Sequence, residues 1–316
     1  MTMALRTRVL CTLAAARRGP QVADLTAAQL QRNRRSTLPH WFPLDRVFGS
    51  VPSSVRISED VATTRAGGVP VRVYRPAPQP TTPPLVMFVH GGGWVQGNVR
   101  SYDALCAQVA RRVGAVVVSV DYRLAPEHVF PAGLHDAYDA TLWAVEHAGA
   151  LGADADRLAV MGDSAGGNLA AAITLLARDG AGPRIAAQVL FYPATDATLS
   201  SPSIQHNANA PILSRADVHG FLGHYRGDAD VLDPRLSPLH ATDHAGLPPA
   251  LIQTAELDPL RDDGARYAEA LRAAGVSVRH TDYPGVPHGF MSFPGAVPCG
   301  ATALDEVASM LRAELA

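Results

Sequence analysis

The 316-residue sequence contains no lysine: its 27 basic residues are all arginines, set against 29 acidic ones for a formal net charge of −2. That absence excludes Schiff-base lysine chemistry and the phosphate loop that ends in Gly-Lys-Ser/Thr. The balance of signs removes the basic footprint of nucleic-acid binding, so no nucleic-acid partner is expected. Cysteine is scarce. Cys11, Cys106 and Cys299 are odd in number, far apart and without redox or zinc spacing, which reads as isolated thiols in a reducing compartment. No stretch reaches the roughly 18 to 20 uncharged apolar residues of a membrane helix. The apolar run over residues 9–16 is short for a secretion signal and is followed at once by Arg17 and Arg18. These absences lead to the expectation of a cytoplasmic protein with no membrane partner.

What is present is a globular composition, 47% hydrophobic and 18% charged, apolar enough for a large core. The length fits one large α/β domain, or a catalytic domain with a small accessory part. In the first fifty residues Leu5, Val9, Leu10 and Leu13 lie near helical spacing, and residues 24–30 open a second helix. His40, Trp41, Phe42 and Pro43 close that segment with bulky apolar groups. Residues 55–74 read as a hairpin with its turn at Gly67-Gly68, ended by a loop containing Pro76, Pro78, Pro80, Pro83 and Pro84. Buried strands are then predicted at 85–89, 115–120, 158–161, 187–191, 250–253 and 276–280, as short apolar runs covered on both faces. Helices are predicted between them at 102–112, 134–147, 165–177, 262–274 and 302–315. This alternation argues a mainly parallel sheet flanked by helices. Residues 195–243, polar and rich in His, Asn, Pro and Asp, break it with one helical candidate at 216–225 and read as an insertion.

Three clusters carry chemistry. His90-Gly91-Gly92-Gly93-Trp94 follows the strand at 85–89, and its glycines allow a sharp turn that presents bare N–H groups. Without a following Gly-Lys-Ser, those donors suit a developing oxyanion better than a phosphate. Gly162-Asp163-Ser164-Ala165-Gly166 stands between a strand and a helix, the context of a nucleophile elbow, with the helix N-terminus behind the serine. Asp258 and His288 each lie just past a predicted strand end, where parallel sheets place ligands. The chain order Ser164, Asp258, His288, with separations of 94 and 30 residues, is that of the α/β-hydrolase fold. A serine hydroxyl needs an imidazole to take its proton, and the imidazole needs a carboxylate to fix its tautomer.

With these motifs the chain resembles the hormone-sensitive-lipase-like, bacterial-type esterases of the α/β-hydrolase fold. The resemblance also rests on residues 121–127 (Asp-Tyr-Arg-Leu-Ala-Pro-Glu), Phe130-Pro131-Ala132, Gly167-Asn168, Asp258-Pro259-Leu260-Arg261-Asp262 and His288-Gly289-Phe290, and covers about residue 55 to the end. It implies Ser164 as nucleophile, His288 as base, Asp258 as orienting carboxylate, and the N–H groups of Gly91, Gly92 and Ala165 as oxyanion hole. It also implies a helical cap, matched in position by residues 1–50 and by an insertion at about 197–240 of a catalytic domain spanning 51–316. The expected activity is hydrolysis of short- to medium-chain acyl esters through an acyl-enzyme, with a small-molecule ester as partner and no cofactor or metal. An amide or carbamate hydrolase with the same triad, or a small-molecule receptor on the scaffold, are the alternatives; receptors of that kind lose the histidine that His288 supplies here.

Among neighbouring residues, Trp94 and Phe290 are candidates for the substrate pocket, and Trp143 for the core. Asp262 and Asp263 are expected to cap the next helix, and Asp196 to sit on a loop at the pocket rim. Asp163, Glu127 and His90 are expected to brace the loop and elbow. His240 and His244, with Asp243 between, would make a metal pair only on a helix, which Pro238, Pro248 and Pro249 oppose. His219 and His224 fit a solvated cap helix. The apolar C-terminal helix could support a homodimer or pack on its own domain.

Overall fold

The computed structural model describes residues 3–16, 19–77 and 82–316; Arg17, Arg18, Pro78 and Pro80 lie outside the described residues. Eight strands form one sheet: β1 (Val55–Thr64), β2 (Gly67–Pro76), β3 (Pro84–Val89), β4 (Val116–Val120), β5 (Asp154–Asp163), β6 (Ile185–Phe191), β7 (Ala250–Leu257) and β8 (Val278–Pro287). Their order is β1-β2-β4-β3-β5-β6-β7-β8, antiparallel through β1, β2 and β4 and parallel from there on. This is the α/β-hydrolase architecture. The helices are α1 (Leu5–Ala16), α2 (Ala27–Arg35), α3 (Asp45–Phe48), α4 (Asp103–Val113), α5 (Ala132–Glu146), α6 (Ala148–Leu151), α7 (Ala165–Asp179), α8 (Pro202–His206), α9 (Arg215–Tyr225), α10 (Arg261–Ala273) and α11 (Gly300–Glu314).

The strand period of two divides the core into two layers. Leu85, Met87 and Val89 of β3, with Leu158 and Val160 of β5, meet the side chains of α5, α7 and α10. Val86 and Phe88, with Ala159 and Met161, meet those of α4 and α11. Because both faces are covered, β3 reads as a continuous apolar run and β4 as a valine run broken only by Ser119. The apolar side of α11 (Ala303, Leu304, Val307, Leu311) is buried in the second layer and packs on its own domain.

Several local expectations change. The hairpin turns at Arg65-Ala66, with Gly67 already paired to Thr64; the Arg65 N–H and guanidinium both bind the Asp139 carboxylate, which pins the turn to α5. Residues 22–24 form a 3-10 turn before α2, which Thr26 and Gln29 close as a capping box. Trp41 and Phe42 face solvent, 64% and 68% exposed. The insertion holds α8 as well as α9, and α9 carries its own capping box between Ser214 and Asp217. Among the described residues no helix is long and apolar enough to cross a membrane.

Candidate active site

The turn from β5 into α7 carries backbone strain. Ser164 sits at φ 55°, ψ −120°, a region few side chains adopt. Its N–H donates to the Phe191 carbonyl at 2.8 Å. The turn also passes so near β3 that a Cβ on Gly166 would stand 2.0 Å from the Val89 carbonyl oxygen. Only glycine permits that approach, which explains the spacing of the motif.

The serine hydroxyl emerges 2.9 Å from Nε2 of His288. The opposite ring nitrogen, Nδ1, lies 2.6 Å from Oδ2 of Asp258. When Nδ1 donates its proton there, Nε2 is left as the acceptor for the hydroxyl. Asp258 follows β7 directly and is fully buried; its other oxygen accepts the Leu260 N–H at 2.9 Å. His288 follows β8 directly, and the Tyr192 ring meets its imidazole edge-on at 4.7 Å. Ser164, Asp258 and His288, from three strand ends, thus share one hydrogen-bonded line.

The glycine loop after β3 departs in part from expectation. The Gly91 N–H is committed elsewhere: it donates to Asp163 Oδ1 at 2.7 Å and lies 3.2 Å from the Tyr102 hydroxyl, which itself donates to Asp163 Oδ2 at 3.1 Å. Gly91 is therefore not an available oxyanion donor. The buried Asp163 carboxylate needs these donors, since burial pushes its pKa up to about 6 while the two bonds favour its charged form. Gly92, Gly93 and Ala165 border the pocket. His90 is buried and kept neutral, its pKa lowered by loss of solvent. It stacks on Tyr122 at 4.5 Å and its Nδ1 lies 2.8 Å from the Gly91 carbonyl.

Over the serine lies a cavity of about 260 Å³, at the small end of ligand pockets, which run from roughly 300 to 1,000 Å³. Trp94 lines it. Phe290 does not: fully buried, it packs edge-on against Tyr192 and Tyr283 beneath the histidine loop. The apolar walls come from residues that sequence reasoning passed over, Leu38 before α3, Ile212 and Leu213 before α9, Val218 and Phe221 on α9, and Phe293 after His288. The recurrence of Val218, Phe221 and Tyr225 along one helical face was the available signal.

Other expectations resolve around this pocket. Asp262 and Asp263 stand in the first turn of α10 without capping it. Asp263 accepts the N–H groups of Thr195 and Asp196 and the Ser201 hydroxyl, and Asp262 accepts the Ser203 N–H. Both tie the insertion to the first turn of α10, the helix that follows Asp258. Asp196 is buried rather than at the rim, held by Arg266, His240, Thr198 and Ser200. His244 meets the Pro238 carbonyl, and His224 the Val22 carbonyl. Glu127 pairs with Arg34 of α2, and Trp143 stacks on His147. Among the described residues no group of three or more His, Cys, Asp or Glu could hold a metal ion.

Comparison with known proteins adds an independent line. A family model for the alpha/beta hydrolase fold matches residues 86–292. The chain is similar to carboxylesterase NlhH of Mycobacterium tuberculosis, 47% identical over 251 residues, 78% of this chain and 79% of that one. It is similar to an ethyl acetate hydrolase of Pseudomonas putida, 46% identical over 247 residues, 74% of this chain and 76% of that one. Among solved structures, an esterase of Pyrobaculum calidifontis superposes with a TM-score of 0.79 at 42% identity, over 82% of this chain and 85% of that one.

Proposed function

This chain belongs to the alpha/beta hydrolase fold family, in its hormone-sensitive-lipase-like esterase branch, and from that premise we propose that it is a serine carboxylesterase acting on small, short- to medium-chain acyl esters. Ser164 attacks the ester carbonyl as His288 Nε2 takes its proton, and Asp258 stabilises the imidazolium that forms. The tetrahedral oxyanion is received by the N–H groups of Gly92, Gly93 and Ala165, the last at the N-terminus of α7 where the helix dipole favours negative charge. His288 then protonates the departing alcohol, leaving an acyl group on Ser164. Water, deprotonated by the same histidine, releases the acid and restores the serine.

The observation that carries this reading is the line Ser164 Oγ, His288, Asp258 at 2.9 and 2.6 Å, raised on a strained elbow beside bare glycine N–H groups. A role for residues 1–50 and 197–240 as a cap is supported by Leu38, Ile212, Leu213, Val218 and Phe221, which lie over the serine. The cavity volume and its apolar lining favour a neutral acyl group of modest length. Hydrolysis of p-nitrophenyl esters from acetate to palmitate, with Ser164→Ala alongside, tests the proposal. Turnover should peak at short or medium chains and vanish in the variant. Full turnover in folded Ser164→Ala and His288→Ala variants would sink it.

A further inference from the structure

The loop after His90 runs through three consecutive positive φ angles, at Gly92 (114°), Gly93 (62°) and Trp94 (59°). Glycines bring no side chain to hold such a path, and a tryptophan stays in that region only where its surroundings over-determine it. Part of the restraint is backbone hydrogen bonding, from the Gln96 N–H to the Gly92 carbonyl at 2.8 Å and from the Ala125 N–H to the Trp94 carbonyl at 3.0 Å. Side chains that neighbour Gly93 and Trp94 on one helix across the pocket supply the rest. Tyr225 of α9 stacks on the Trp94 indole with ring centres 4.6 Å apart and planes within 2°. Phe221, four residues earlier and so on the same helical face, occupies the space beside Gly93. A Cβ built on that glycine would stand 2.2 Å from the Phe221 Cγ.

The helix is itself seated from outside the pocket. Its other contact surface is the turn at Val22 and Ala23. His224 meets the Val22 carbonyl at 3.0 Å, and a Cβ on Gly220 would stand 2.7 Å from the Ala23 nitrogen. A continuous path of packed groups therefore runs from the N-terminal turn, through α9, to the glycine loop.

We propose that Phe221 and Tyr225 are positioning residues that clamp Gly93 and Trp94, and so aim the loop's N–H groups at the oxyanion, with the Val22–Ala23 turn setting the clamp by seating α9. The inference rests on the carboxylesterase reading above. Its physical basis is that a donor serves the oxyanion only within about 2.7 to 3.1 Å, and a displacement of about 1 Å can cost 100-fold in rate. A ring that merely walled the pocket would govern which acyl chain fits. A ring that holds the loop governs every ester alike.

The test is steady-state hydrolysis of p-nitrophenyl acetate and hexanoate by wild type, Ser164→Ala, Phe221→Ala and Phe221→Leu. Wild-type turnover that disappears in Ser164→Ala upholds the esterase reading whatever Phe221 does, so the two ideas fail separately. For Phe221→Ala, kcat should fall about 10- to 100-fold on both esters with KM within about threefold. The inhibition constant of butylboronic acid, whose tetrahedral adduct uses the same donors, should rise by a matching factor. Phe221→Leu should recover part of each loss. Unchanged kcat on acetate, with faster hydrolysis of longer esters, would overturn the proposal and leave the ring as a wall. If Phe221→Ala does not fold, Gly220→Ala shifts α9 without touching the pocket and should lower kcat in the same chain-length-independent way. A folded Gly220→Ala enzyme with wild-type kcat on both esters would equally overturn it.

Discussion

The two sides of the pocket are held by different forces. On the sheet side, the elbow and the glycine loop are fixed by hydrogen bonds and by backbone approaches too close for a Cβ. Asp163 binds Gly91, Ser164 N–H binds Phe191, and Gly166 presses on Val89. On the opposite side, Leu38, Ile212, Leu213 and Val218 line the pocket with apolar side chains. Directional bonds and steric exclusion define atomic positions narrowly. Apolar packing accepts several side chains of similar volume. Fixed atomic positions therefore belong to the first side, and the second is adaptable except where Phe221 and Tyr225 bear on the glycine loop.

The largest expected effect attacks the sheet side at its tightest point. Gly166→Val places a side chain where only 2.0 Å separates an ideal Cβ from the Val89 carbonyl oxygen. The elbow must move, and hydrolysis of p-nitrophenyl acetate should fall by more than about 100-fold. Near-normal rates would show that the elbow is looser than its contacts imply. Asp163→Ala comes next. It strands the Gly91 N–H and the Tyr102 hydroxyl in the interior, and urea unfolding should register a loss of about 2 kcal/mol. Asp163→Asn keeps an acceptor for Gly91 and should lose less; equal losses would mean that the charge, not the bond, matters.

On the cap side, Leu213→Ala should leave acetate turnover within about threefold of wild type while moving the acyl-chain optimum longer. A collapse of acetate turnover would erase the contrast between the two walls. The smallest effect concerns Asp263, which joins the insertion to α10. Burial, with Asp196 nearby, lifts its pKa to about 7 from an ordinary 3.8. Between those values the folded state holds a proton that the unfolded state has released. Stability contributed by this group should therefore decline as pH rises from about 4 to 7. Thermal unfolding across that range should show a shallower decline in Asp263→Asn, and parallel curves would remove Asp263 from the account.

Much of this was legible in the residues. Val-rich runs and the helical spacing between them announced the parallel sheet, because a strand covered on both faces must be apolar throughout. Ser164, Asp258 and His288 were recognisable because each stands directly beyond a strand end. The individual roles of carboxylates were harder to see. Asp262 and Asp263 have the sequence signature of a helix start, yet their partners, Thr195, Ser201 and Ser203, lie some sixty residues away. Phe290 adjoins the histidine in sequence and still turns into the core, because neighbours along a chain need not face the same side.

By itself, the sequence determined what depends on local chemistry: the alternation of strands and helices, the glycines that admit a strained turn, and the order of a nucleophile, a carboxylate and an imidazole. Each is set within a few residues by φ/ψ limits, side-chain period or proton affinity. Only the tertiary structure decided that the Gly91 N–H is taken by Asp163, since that bond depends on two strand ends meeting. The tertiary structure likewise decided the volume over Ser164. Five side chains drawn from the N-terminal segment and the insertion enclose it, and no local rule says how far apart such segments come to rest.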